Sequence, residues 1–122
     1  MYMVSVEREF DAAHYLRDYG GRCENLHGHR FRVVVTVAGG RLNRIGIVYD
    51  FTELKRRLEP VLAKLDHKCL NEVPPFDRIN PSSENIARTI YRWLKPHFRG
   101  TGVTLASVEV WESPQSRAVY SP

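Results

Sequence analysis

The sequence predicts an α+β domain in which two helices pack on an antiparallel sheet. Residue-by-residue alternation opens the chain, two apolar stripes at helical spacing fill its middle, and alternation returns near the end. At 122 residues the chain fits one domain, residues 1–122, long enough to bury a core.

Tyr2, Val4, Val6, Phe10 and Ala12 alternate with Met3, Ser5, Glu7, Glu9 and Asp11, with Arg8 the one exception. A strand from about Met3 to Ala13 follows. The polar, glycine-bearing stretch Arg17 to Asn25 reads as a loop, and His29 to Ala38 as a second strand with Phe31, Val33, Val35 and Val37 on one face. Gly39-Gly40 marks a turn. Ile45 to Tyr49 is a short apolar stretch that predicts a short third strand.

Asp50 or Thr52 can cap a helix in which Leu54, Leu58, Val61, Leu62 and Leu65 recur at helical spacing. Pro60 lies inside it and predicts a kink or a shortened second half. Asp66-His67 closes the element, and three prolines make Asn71 to Pro81 a loop. Ser82 is a reasonable N-cap for a second helix, Glu84 complements its positive start, and Ile86, Ile90, Trp93 and Leu94 form its apolar stripe. Trp93 is expected in the core. Gly100 and Gly102 punctuate a turn before a strand at Val103 to Glu112, and a last short strand runs from Arg117 to Tyr120.

A composition of 43% hydrophobic and 26% charged residues excludes disordered and fibrous classes. No apolar run approaches the roughly 20 residues needed to span a bilayer, and the first ten residues lack a basic segment followed by an apolar one. The expectation is a cytoplasmic protein with no membrane partner, in which Cys23 and Cys69 stay thiols. A net charge of +4 favours an anionic partner. No helix-turn-helix, zinc-finger spacing or RNA-binding signature argues for nucleic acid, and Lys55, Arg56 and Arg57 share a solvated face with Glu53 and Glu59. A phosphate-bearing small molecule remains open.

Three histidines carry the chemistry. His27 and His29 share the apolar parity of the second strand, and His14 falls on the apolar parity of the first, so three imidazoles point toward one interior. One such residue is more often a satisfied core histidine, but three on matched parities indicate a metal. Three His ligands leave the fourth zinc position open for chemistry, whereas Cys23 as a fourth ligand would close the site into a structural one. Parity does not separate the two. Asp66-His67 is either a helix end or an acid–base pair, and Glu112 either a frayed strand end or a ligand anchor.

Taken together and in order, several stretches resemble the 6-pyruvoyltetrahydropterin synthase and 6-carboxytetrahydropterin synthase family. They are Phe10-Asp11-Ala12-Ala13-His14, the C-x-x-x-H-G-H motif from Cys23 to His29, Asp50-Phe51, Leu65-Asp66-His67, Asn80-Pro81-Ser82-Ser83-Glu84-Asn85 and Val110-Trp111-Glu112. The resemblance implies the tunnelling fold, a four-stranded antiparallel sheet with two helices on one face that oligomerises into a barrel, usually a hexamer made of two trimers. It implies that His14, His27 and His29 bind Zn2+, that Cys23 with Asp66 and His67 forms a proton-transfer triad, and that Glu112 anchors the pterin. Asp66 and His67 are expected to come from a neighbouring subunit in such assemblies.

The implied substrate is dihydroneopterin triphosphate, with Arg17, Arg22 and Lys68 as candidate triphosphate contacts on proximity to the motifs. The short Cys-x-x-x-His spacing resembles the bacterial 6-carboxytetrahydropterin synthases of the 7-deazaguanine (queuosine) pathway. A zinc-dependent lyase releasing acetaldehyde and triphosphate is therefore expected. The pyruvoyl synthase reaction is the alternative within the family.

Overall fold

The computed structural model describes residues 1–122. Five strands and two helices follow in the order β1 (Tyr2–His14), β2 (His27–Gly39), α1 (Phe51–Ala63), β3 (Lys68–Cys69), α2 (Ser83–Leu94), β4 (Thr104–Ser113) and β5 (Ser116–Tyr120). The sheet order is β3-β1-β2-β4-β5, antiparallel except where β3 runs parallel to β1 beside Ala12 and Ala13. Both helices cover one face, α1 against β1 and α2 against β4 and β5.

The alternation read from the first two strands is the core itself. Val6, Phe10 and Ala12 from β1 and Phe31, Val33, Val35 and Val37 from β2 are buried under Leu54, Leu58, Val61 and Leu62 of α1 and Ile86, Ile90 and Leu94 of α2. Their opposite faces carry charge, with Arg32 paired to Glu7 and Arg30 to Asp11. In β4, Leu105, Val108 and Val110 are all buried although they change parity. The register shift there, Thr36 facing Ser107 and Val37 facing Leu105, shows the cause: a bulge leaves Ala106 without a partner and re-aims the strand.

Caps act as expected at both helices. Asp50, rather than Thr52, accepts from the Thr52 N–H at 2.7 Å, and Ser82 accepts from the Asn85 N–H at 3.2 Å. Helix α1 runs through Pro60 as one element, because Leu54, Leu58, Val61 and Leu62 are all held in the core on either side of it. Leu65 is buried just beyond its end.

Three expectations need correction. The sheet has five strands, not four, the extra one being the two-residue β3. Ile45 to Tyr49 is no strand: the Asn43 side chain accepts from the Ile45 and Ile47 N–H groups at 3.0 Å and folds a turn through Gly46 at φ +83°. Ile45 and Ile47 are consequently exposed, while Val48 lies so close to Gly39 that a Cβ there would meet it at 2.6 Å. Trp93 is only half-buried, its ring packed against the core and covered by the Lys64 ammonium 4.5 Å from the ring centre.

Candidate metal centre and acid–base pair

The antiparallel register brings the histidines together. His14 faces His27 across β1 and β2, and His29 faces the small Ala12, which leaves room for its ring. Ring centres lie 4.6 Å apart for His14 and His27, 4.8 Å for His27 and His29, and 5.2 Å for His14 and His29. Phe31 forms the apolar floor, edge-on to both His14 and His29 at 5.4 Å.

Each ring is aimed by its surroundings. His14 Nδ1 donates to the Pro81 carbonyl at 2.7 Å and His27 Nδ1 to the Asn25 carbonyl at 2.6 Å, which leaves each Nε2 with a lone pair. His14 Nε2 and His29 Nε2 are buried without a hydrogen-bond partner. Orphaned buried nitrogens are rare because they cost free energy, and a cation would satisfy both. Burial holds His14 below its ordinary pKa, opposed by its bond to Pro81, and burial likewise lowers His29, opposed by Glu112. Neutral imidazole is the ligating form.

The fourth group at this centre is Glu112. Its carboxylate and the three imidazoles present ligand atoms within 4.8 Å of one another. Glu112 Oε1 is 3.2 Å from His29 Nε2, off the line of a hydrogen bond, and Oε2 accepts from the Ser83 hydroxyl at 3.1 Å. The residue sits where the β4–β5 register shifts, beside the start of α2. Cys23 does not join this group, so the closed set of three His and one Cys is not formed. The three imidazoles suit zinc in an open site, with the Glu112 carboxylate close by.

A second cluster lies on the other face of the sheet. Asp66 accepts from the Asp11 N–H at 3.0 Å, its Oδ1 lies 3.0 Å from His67 Nδ1, and the His67 N–H donates to the Asp11 carbonyl at 2.6 Å. The Asp11 N–H and then His67 hold the Asp66 carboxyl below its usual range. His67 adopts φ +58°, an uncommon conformation outside glycine, in the turn that ends at β3. A cleft of about 520 Å³ opens here, lined by Asp11, Ala12, Ala13, Gly28, His29, Arg30, His67 and Lys68, so that both parities of β1 and β2 border it.

Of the candidate anion contacts, Arg17 is committed elsewhere. Its guanidinium donates to the Phe76 carbonyl at 2.9 Å and the Ile79 carbonyl at 3.3 Å, so it braces the proline loop. Arg22 is exposed, in a single 3-10 turn with Cys23, and Lys68 lines the cleft. Arg30 was not foreseen, yet it borders this cleft and a second of about 610 Å³ that also contains Glu112 and Trp111. Its place directly after His29 was the available signal.

Fold and site define the class: a small α+β domain with a histidine-rich centre suited to a metal on one sheet face and an acid–base pair on the other. The family model described as 6-pyruvoyl tetrahydropterin synthase matches residues 3–122, and the chain belongs to that family, whose enzymes act on pterins. It is 40% identical to the 6-carboxy-5,6,7,8-tetrahydropterin synthase of Synechocystis, covering 98% of this chain and 93% of that one. It is 37% identical to the dihydroneopterin monophosphate aldolase of Pyrococcus furiosus, covering 89% and 88%. The 6-pyruvoyl tetrahydropterin synthase structure from Caenorhabditis elegans superposes with a TM-score of 0.84 at 29% identity, covering 100% and 97%. No helix is long and apolar enough to cross a membrane.

Proposed function

We propose that this protein is a zinc-dependent lyase converting 7,8-dihydroneopterin triphosphate and one water to 6-carboxy-5,6,7,8-tetrahydropterin, with release of acetaldehyde and triphosphate, in 7-deazaguanine (queuosine) biosynthesis in the cytoplasm. The observation that carries the reading is the pair of buried, partnerless Nε2 atoms on His14 and His29 beside His27 and Glu112. The Synechocystis relative supports the carboxy product over the pyruvoyl one.

His14, His27 and His29 would hold zinc. When bound, zinc supplies Lewis acidity toward the oxygens of the pterin side chain. Glu112 anchors the pterin, its two carboxylate oxygens accepting from adjacent N–H groups of the amino-pyrimidine edge. Phe31 keeps water from the floor beneath. Cys23 takes the side-chain proton, with a neighbouring histidine as its acid–base partner. Asp66 orients His67 for this role by holding Nδ1 at 3.0 Å.

Within one chain the Asp66–His67 pair lies on the sheet face away from the metal centre. The pair therefore serves the Cys23 of a neighbouring subunit, and the active enzyme is a homo-oligomer, a hexamer of two trimers closing the sheets into a barrel. The unpaired outer edge of β1 before Ala12 and the free edge of β5 are the strands available for that closure. Arg22 and Lys68 take the triphosphate.

Incubation of zinc-loaded protein with dihydroneopterin triphosphate, followed by mass spectrometry, tests the assignment. A carboxyl product with acetaldehyde supports it, and a pyruvoyl product moves the enzyme to the sister reaction. No turnover by a metal-replete oligomer sinks it. Cys23→Ala should keep the metal and abolish turnover, and loss of metal instead would make Cys23 a ligand.

A further inference from the structure

The sheet ends at His14, and the next three residues, Tyr15, Leu16 and Arg17, have no strand beside them. Two asparagine side chains stand in for one. Asn71 Oδ1 accepts from the Tyr15 N–H at 3.0 Å while its Nδ2 donates to the Tyr15 carbonyl at 3.0 Å. Asn80 repeats the pairing two residues on, accepting from the Arg17 N–H and donating to the Arg17 carbonyl, both at 2.9 Å. Each amide satisfies both backbone groups of one residue, as a facing strand would.

Leu16 turns the other way. Its N–H donates to the Cys23 carbonyl at 2.6 Å, so the strip is tied to the Cys23 turn on one side and to the 71–80 loop on the other. That loop leads to Pro81, whose carbonyl fixes His14 Nδ1, and to Ser83, which donates to Glu112. Asn85 locks the join by donating to the Asn80 carbonyl at 2.9 Å. Asn71 is buried at 5% exposure, where an amide stays only if its groups are paired.

We infer that Asn71 and Asn80 are positioning residues whose side-chain amides clamp residues 15–17 between the Cys23 turn and the Pro81 loop, holding His14 in ligating geometry. The inference rests on the metal-site reading above. Only an amide offers donor and acceptor at the spacing of a backbone N–H and C=O, so the role is specific to this side-chain chemistry. Partners that orient a metal-bound histidine through its second nitrogen typically change metal affinity about 10- to 100-fold when lost.

The test is zinc affinity, measured by competition with a chromophoric chelator, in Asn71→Ala, Asn80→Ala and Asn80→Asp. All three should bind zinc about 10- to 100-fold more weakly than wild type. Asn80→Asp matters most, because it keeps the size and one acceptor but sets an oxygen against the Arg17 carbonyl. Thr101→Ala is the control for lost stability alone: it removes a hydroxyl bond to the Phe98 carbonyl of 2.7 Å at the other end of the sheet and should leave zinc affinity unchanged.

Asparagine variants that bind zinc as wild type does overturn the inference. Should the variants fail to fold, hydrogen exchange in the wild type decides: zinc should slow the Tyr15 and Arg17 amides by roughly tenfold or more, and unchanged rates overturn the clamp. A wild type that binds no zinc in the same titration overturns the metal-site reading, and the clamp's role with it.

Discussion

Replacing Glu112 with glutamine keeps the shape of the side chain and removes its charge. In the free protein the change is mild, because the Ser83 hydroxyl that donates to Oε2 can rotate and accept from a Gln amide instead. In the proposed pterin complex it is not mild. One of two acceptors for the pterin becomes a donor facing donors, and the remaining bond is no longer charge-assisted. A hydrogen bond to a charged group contributes about 1.5–3 kcal/mol. The Glu112 side chain is 32% exposed, which places it in the lower half of that range. A loss of about 1.5–2 kcal/mol corresponds to a fall of about 10- to 30-fold in kcat/KM. Initial rates with dihydroneopterin triphosphate measure it, alongside zinc content. A kcat/KM within twofold of wild type would refute the anchoring role, and a Glu112→Gln protein that loses its zinc would show that the carboxylate is a ligand.

Two further expectations concern stability. Pro60 is exposed in the third turn of α1, where it cannot donate to the Arg56 carbonyl, so Pro60→Ala should stabilise the protein by about 1–2 kcal/mol after the entropy gained by the unfolded chain is subtracted. Urea midpoints measure this, and a destabilised variant would mean that the helix is shaped by the proline. The second is pH dependence. His14 and His29 have folded pKa values below the ordinary 6.5, mainly through burial. As pH falls through 6.5 the unfolded chain binds protons that the folded one refuses, so the stability of metal-free protein should be level above neutrality and decline below it. A denaturation series from pH 8 to 5.5 showing no decline removes the argument.

The alternation of β1 and β2 and the 3.6-residue stripes of α1 and α2 were legible because each records which face of one element avoids water. His14, His27 and His29 were legible for the same reason, since parity alone puts them on the core side. The Asn43-centred turn was not. Ile45, Ile47 and Tyr49 have strand-like spacing, and the side-chain hydrogen bonds of a single asparagine override it. Leu105 and Val108 share the core only because of the Ala106 bulge, which depends on the partner strand and leaves no mark in the local pattern. Trp93 belongs to the right stripe but stands at its margin, where Lys64, at the C-terminal cap of α1, covers the ring.

The site divides in the same way. Residue types and short spacings carry the three imidazoles, the cysteine four residues before His27, and the Asp66-His67 pair, because the chemistry of a ligand or a base is a property of the side chain. Which groups meet is a property of register and packing. The β1–β2 ladder sets His14 against His27, the β2–β4 ladder brings Glu112 rather than Cys23 to them, and the turn through His67 puts the Asp66–His67 pair beside Asp11. The Asn71 and Asn80 pairings join residues 56 and 63 positions apart, and no local pattern encodes contacts at that range.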